Sequence, residues 1–128
     1  MKDKTILLFD DDVNILEVCT IILENYGYQV ATSETSHDII EKVTAVKPDV
    51  ILMDNWIPEI GGIKATQLVK QHPDFNRIPV IYVSANNDIQ LLAEEAGADS
   101  YLEKPFNLDD LENAVKSMLN LSKSDLNV

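Results

Sequence analysis

Polar side chains stand where the apolar runs of this sequence break off. Asp10 and Asp11 follow Thr5-Ile6-Leu7-Leu8-Phe9, and Asp54 follows Val50-Ile51-Leu52-Met53. Ser84 follows Val80-Ile81-Tyr82-Val83, and Lys104 comes just after the run that ends at Leu102. Short apolar runs bounded by turn residues fit buried strands of a parallel sheet. The carboxyl ends of parallel strands share one edge, and open α/β sheets bind their ligands there. Three carboxylates, a hydroxyl and an ammonium would then converge. Two carboxylates about 4 Å apart repel by roughly 4 kcal/mol at an effective dielectric near 20. A hard cation relieves that repulsion. Mg²⁺ takes oxygen ligands, keeps several waters and binds through one or two carboxylates plus phosphate oxygens. It is the natural occupant, with Ca²⁺ and Mn²⁺ as the other candidates.

Such a site suits phosphoryl chemistry. A carboxylate attacks phosphorus to give an aspartyl phosphate, and Asp54, central and at its strand tip, is best placed to do so. Lys104 would pair with one phosphoryl oxygen as a point charge, and Ser84 would donate a hydrogen bond to another. Catalysis of this kind is positioning plus electrostatics. Taken singly, Lys104 is a surface lysine, Ser84 a turn residue, and Asp10 a cap or loop residue. The joint placement argues for a site. Asp12 reads as a helix cap, and His37 and His72 as surface residues of helical segments.

The elements that must position these groups alternate along the chain. Strands are expected at Thr5–Phe9, Tyr28–Thr32, Val50–Met53, Val80–Val83 and Ala98–Leu102. Helices are expected at Val13–Tyr26, Ser36–Val46, Ile63–His72 and Asp88–Ala96, with a last one capped by Asn107. Leu16, Cys19, Ile22 and Leu23 make one apolar stripe, and Leu108, Leu111, Val115, Met118 and Leu119 another. Tyr28–Thr32 is the least apolar strand and belongs near a sheet edge. All the glycines and prolines are read as lying between elements. The expected fold is α/β: a doubly wound, five-stranded parallel sheet with five helices. Residues 1–121 form the one domain and 122–128 a polar tail.

Composition narrows the function. The formal charge of −12 speaks against direct nucleic-acid binding, because phosphate contacts need clustered Lys and Arg. No apolar run approaches a membrane span, and the start, Met1-Lys2-Asp3-Lys4-Thr5, carries no signal peptide. The single cysteine, Cys19, reads as a buried structural thiol, which agrees with a cytoplasmic location.

The chain resembles a response-regulator receiver domain, the phospho-acceptor of two-component signalling. The resemblance runs from Lys4 to about Leu121. It rests on Ile6-Leu7-Leu8-Phe9-Asp10-Asp11-Asp12, Pro48-Asp49-Val50-Ile51-Leu52-Met53-Asp54, Pro79-Val80-Ile81-Tyr82-Val83-Ser84-Ala85 and Glu103-Lys104-Pro105-Phe106. It implies the flavodoxin-like strand order 2-1-3-4-5. It implies that Asp54 is phosphorylated, that Asp11 ligates Mg²⁺ directly, that Asp10 helps through a water, and that the Trp56 backbone carbonyl is a further ligand. Ser84 would be the switch hydroxyl and Tyr101 the aromatic that turns inward with it. Lys104 would contact the phosphate and precede a cis bond to Pro105. The partners implied are a sensor histidine kinase or histidine phosphotransfer protein and a downstream protein target. Target affinity would change at the face of the fourth helix, fifth strand and fifth helix. The protein would act as a monomer or a phosphorylation-dependent dimer, without a DNA-binding output module. It would be no enzyme beyond its own phosphoryl transfer and slow autodephosphorylation.

Two positions depart from the family pattern. Ile57 replaces the usual methionine at similar volume. Trp56 is bulky for its place, and together with Asn86 it flanks the phosphoryl position, where an indole would shield an acyl phosphate from water. Three other readings compete. A haloacid-dehalogenase-type phosphohydrolase needs Thr or Val where Asn14 stands. A flavodoxin-like FMN carrier needs a phosphate cradle where Asp10-Asp11-Asp12 would repel an anion. A non-phosphorylated pseudo-receiver would have no use for the complete polar set.

Overall fold

In a computed structural model, the backbone is described for residues 3–126 and the side chains for residues 3–120. The elements are β1 (Thr5–Phe9), α1 (Val13–Asn25), β2 (Gln29–Ser33), α2 (Ile39–Val46), β3 (Val50–Asp54), α3 (Gly61–Gln71), β4 (Val80–Ser84), α4 (Ile89–Ala96), β5 (Ser100–Glu103) and α5 (Leu108–Leu126). All pairings are parallel, in the order β2-β1-β3-β4-β5. The expected topology is therefore present, and the polar strand β2 lies at an edge.

Strand alternation assigns each residue to a side of the sheet. Ile6 and Leu8, Val50 and Leu52, Ile81 and Val83, and Leu102 pack with α1 and α5. Leu7, Phe9, Ile51, Met53 and Val80 pack with α2 and α3. Tyr82 packs with α4. Buried on both faces, β3 and β4 carry no exposed residue. Cys19 is part of the α1–α5 core, as expected, and burial pushes its thiol up to about 11.

Helix ends follow local chemistry. Asp12 caps α1, its Oδ1 accepting from Asn14 N at 3.0 Å and Ile15 N at 3.4 Å. Asn107 and Asp110 cap α5 reciprocally, at 2.8 and 3.2 Å.

Several element ends shift by a residue or two from the sequence reading, β2 to Gln29–Ser33 and β5 to Ser100–Glu103 among them, and three further differences have consequences for the fold. The helix expected from Ser36 begins at Ile39, because Ser36 bonds to another loop instead. Helix α5 continues to Leu126, past the division expected at 121; residues 127–128 lie outside the described residues. Gly61 and Gly62 lie within α3, not before it. Gly61 takes φ 81°, in the left-handed region, and Gly62 is required by crowding: a Cβ there would collide with the Asp54 carbonyl oxygen and stand 3.0 Å from Asn55 Cα. Only glycine lets the first turn of α3 pass so close beneath the end of β3.

Gly62→Ala should therefore cost about 1–3 kcal/mol, the range for overpacking a tight contact. Urea denaturation would show it as a lower midpoint, and an unchanged midpoint would mean that α3 moves aside freely.

Candidate functional site

The alternation that builds the core also builds the site. Ile6, Leu8 and then Asp10 follow one side of β1, and Val50, Leu52 and Asp54 the same side of β3. The register pairs Leu8 with Leu52 and Phe9 with Met53, so the next rung sets Asp10 beside Asp54. Leu102, inward on β5, leads in the same parity to Lys104.

Each tip is fixed by an N–H two residues further on, the turn that a short polar side chain makes with its own backbone. Asp12 N donates to Asp10 Oδ1 at 2.9 Å, Trp56 N to Asp54 Oδ2 at 2.9 Å and Asn86 N to Ser84 Oγ at 3.0 Å. The other carboxylate oxygens face Lys104. Its Nζ lies 2.9 Å from Asp10 Oδ2 and 2.8 Å from Asp54 Oδ1. The Lys104–Pro105 bond is cis.

Both carboxylates are buried, Asp10 5% and Asp54 4% exposed. Burial pushes the Asp54 carboxyl above its ordinary pKa, and the Asp10 charge adds to this, while Lys104 and the Trp56 N–H oppose it. Burial alone would pull Lys104 down, but its two carboxylate partners outweigh it and hold the ammonium above its ordinary value.

Asp11 completes a cluster. One carboxylate oxygen each from Asp10, Asp11 and Asp54 lies within 4.8 Å of the others. Asp11 is exposed and the other two are buried, so the cluster opens to solvent on one side. An all-oxygen donor set of this span fits a hard divalent cation that keeps waters on its open side. The residues present thus fit Mg²⁺.

The remaining expected residues are placed differently. Ser84 is buried at the tip of β4, in the parity of Tyr82, with its hydroxyl accepting from Asn86 N. Tyr101 sits two rungs below the tip of β5 and is 44% exposed. The Trp56 side chain is 73% exposed. His37 is exposed, and His72, half-buried, stacks on Phe75 at the end of α3.

Two contributors escaped the sequence reading. The Tyr82 hydroxyl bonds to Asn55 Oδ1, tying β4 to the residue after Asp54. The signal was a tyrosine inside a buried aliphatic run, because a buried phenol needs a partner. Ser36 is the other, and a serine just before a helical run reads first as part of that helix.

Known proteins share this fold. The family model described as "Response regulator receiver domain" matches residues 6–116. The chain belongs to this family. As a receiver domain it is 32% identical over 126 residues to the transcriptional regulatory protein KdpE of Staphylococcus aureus, covering 97% of this chain and 53% of that protein. It is 33% identical over 121 residues to the phosphate regulon transcriptional regulatory protein PhoB of Pseudomonas aeruginosa, covering 93% of this chain and 53% of that protein. The receiver thus spans about half the length of these curated relatives. Among solved structures, the CheY-like response regulator receiver domain protein of Methanospirillum hungatei superposes with a TM-score of 0.86 at 28% identity, covering 97% of this chain and 99% of that one. No helix among the described residues is long and apolar enough to cross a membrane.

The raised Asp54 pKa makes a prediction with a definite sign. A carboxyl whose folded pKa exceeds its unfolded value near 3.8 weakens the fold once ionised. That cost is full above the folded pKa, fades as pH falls through it, and is absent below the unfolded value. Without metal, Asp54→Asn should raise the melting temperature at neutral pH, with the gain shrinking as the solution is acidified. A gain that stayed constant with pH would assign it to something other than the charge.

Proposed function

We propose that this receiver domain takes a phosphoryl group on Asp54 from a sensor histidine kinase or histidine phosphotransfer protein, with Mg²⁺ held by Asp10, Asp11, Asp54 and the Trp56 carbonyl. The observation that carries the reading is the Lys104 ammonium bonded to both Asp10 and Asp54 at the tip of the central strand. The Trp56 N–H and Lys104 fix the two oxygens of Asp54, so the carboxylate is oriented before a donor arrives. An Asp54 oxygen forms a bond to phosphorus as the phosphorus–nitrogen bond of the donor phosphohistidine breaks. The metal, when bound, neutralises charge on the phosphoryl group. Lys104 then contacts the phosphoryl oxygens, and Ser84 and Tyr101 move as the switch pair.

Output passes through the face of α4, β5 and α5, where Leu91, Tyr101 and Leu108 leave apolar side chains exposed. The downstream target is a protein, the working state a monomer or a phosphorylation-dependent dimer, and the location cytoplasmic. Residues 1–121 form the receiver unit, with 122–128 as its polar extension. Slow autodephosphorylation resets it.

Labelling with a small phosphodonor should require Mg²⁺ and vanish in Asp54→Ala. Labelling that persisted in Asp54→Ala would move the acceptor elsewhere, and no labelling of the wild type would leave a pure interaction module. Trp56→Asn should speed loss of the phosphoryl group several-fold, since a small polar side chain admits water where an indole excludes it. An unchanged rate would mean that the ring, largely exposed here, stays in solvent.

A further inference from the structure

The turn between β3 and α3 holds a conformation that it does not favour by itself. Glu59 has φ 82°, in the left-handed region that side-chain-bearing residues adopt at a cost. Its two chain neighbours are bonded to the same side chain. Ser36 Oγ donates to Pro58 O at 2.7 Å and accepts from Ile60 N at 3.3 Å, and Ser36 N also donates to Pro58 O, at 3.2 Å. Ser36 is 0% exposed, so water does not replace these bonds. The other end of the turn is fixed by β4 and α3: Asn55 N donates to Val83 O at 2.9 Å, and Gly62 N donates to Asn55 O at 3.2 Å. Trp56 lies between the two anchorages, its N–H on Asp54 Oδ2.

We propose that Ser36 is a positioning residue that sets the acidic site's affinity for its divalent ion, by locking the turn that carries Trp56 from a loop outside the site. The inference rests on the reading of that site as an Mg²⁺ centre that includes the Trp56 carbonyl. Mg²⁺ demands near-ideal octahedral geometry, so a small shift of one backbone ligand lowers affinity. Without the hydroxyl, the Ile60 N–H loses its acceptor and Glu59 is free to relax, and the backbone at residue 56 relaxes with it.

The test uses the full chain and Mg²⁺ alone as the probe, with binding read by calorimetry. Ser36→Ala should weaken Mg²⁺ binding roughly tenfold, as loss of a group that orients a metal ligand does. It should also speed amide exchange at Ile60 in the metal-free protein. Phosphorylation by a small phosphodonor should return close to the wild-type rate once Mg²⁺ is saturating. Thr44→Ala removes an exposed hydroxyl on α2 that bonds Ile40 O at 2.7 Å, and should leave Mg²⁺ affinity unchanged. Ser36→Thr and Ser36→Val have closely similar bulk and differ in the hydroxyl, so Thr should bind Mg²⁺ more tightly than Val even if both lose stability. Equal affinities for that pair, or wild-type affinity in Ser36→Ala with only a lower unfolding midpoint, would overturn the proposal and leave Ser36 a structural residue. A wild-type protein that bound no Mg²⁺ would instead overturn the reading of the site itself.

Discussion

Two carboxylates on adjacent strand tips, both out of water, cannot stay ionised side by side without a cation between them. Lys104 is that cation, and much of the fold serves to bring it there. Asp10 and Asp54 come from neighbouring strands, whereas Lys104 comes from just past β5, at the far side of the sheet. The backbone bond from Lys104 N to Ser84 O, 2.9 Å, extends the β4–β5 pairing by one step and starts the lysine over the strand ends. Its long stem then reaches back across β4 to the centre.

The charge balance remains incomplete. Among the described residues one ammonium, Lys104, bonds to Asp10 and Asp54 of the three carboxylates, and burial keeps the Asp54 carboxyl above its ordinary pKa despite that contact. A pure stability device would be neutral. Among the described residues this cluster is short of positive charge at its exposed corner, where Asp11 stands, and that is where a divalent ion would add to it. Stability is given up at the place where chemistry needs an unsatisfied charge.

Much of this was legible in the sequence, because the signals were strong and local. Unbroken apolar runs marked β3 and β4, and the residue after each run was polar. Parallel pairing then put those residues on one edge without any knowledge of packing. Asp12 and Asn107 announced their helices by capping chemistry. What escaped depended on contacts distant along the chain. Ser36 looked helical because Ile39, Ile40, Val43 and Val46 follow it at helical spacing, but its hydroxyl finds Pro58 and Ile60 more than twenty residues away. Gly61 and Gly62 looked like turn residues, as adjacent glycines usually are. The reason for Gly62 is the Asp54 carbonyl lying where a Cβ would go, which no local rule contains.

Those missed residues share a location, and it follows from how the site is supported. Asp10 and Asp54 are held by strand register, a rigid device that spans the sheet. The turn after β3 has no such frame, and its conformation includes a left-handed Glu59. It is therefore held by individual contacts: Gly62 beneath the end of β3, Tyr82 on Asn55, and Ser36 on either side of Glu59. These contacts reach the turn from different elements, so a rearrangement of β4 or of the β2–α2 loop would be felt at residue 56. Tyr82 lies on the same side of β4 as Ser84, two residues before it. A displacement of the Ser84 tip would thus meet a strand already tied, through Asn55, to the residue after Asp54. Register holds the acidic pair, whereas the turn depends on separate contacts from the β2–α2 loop, β4 and α3.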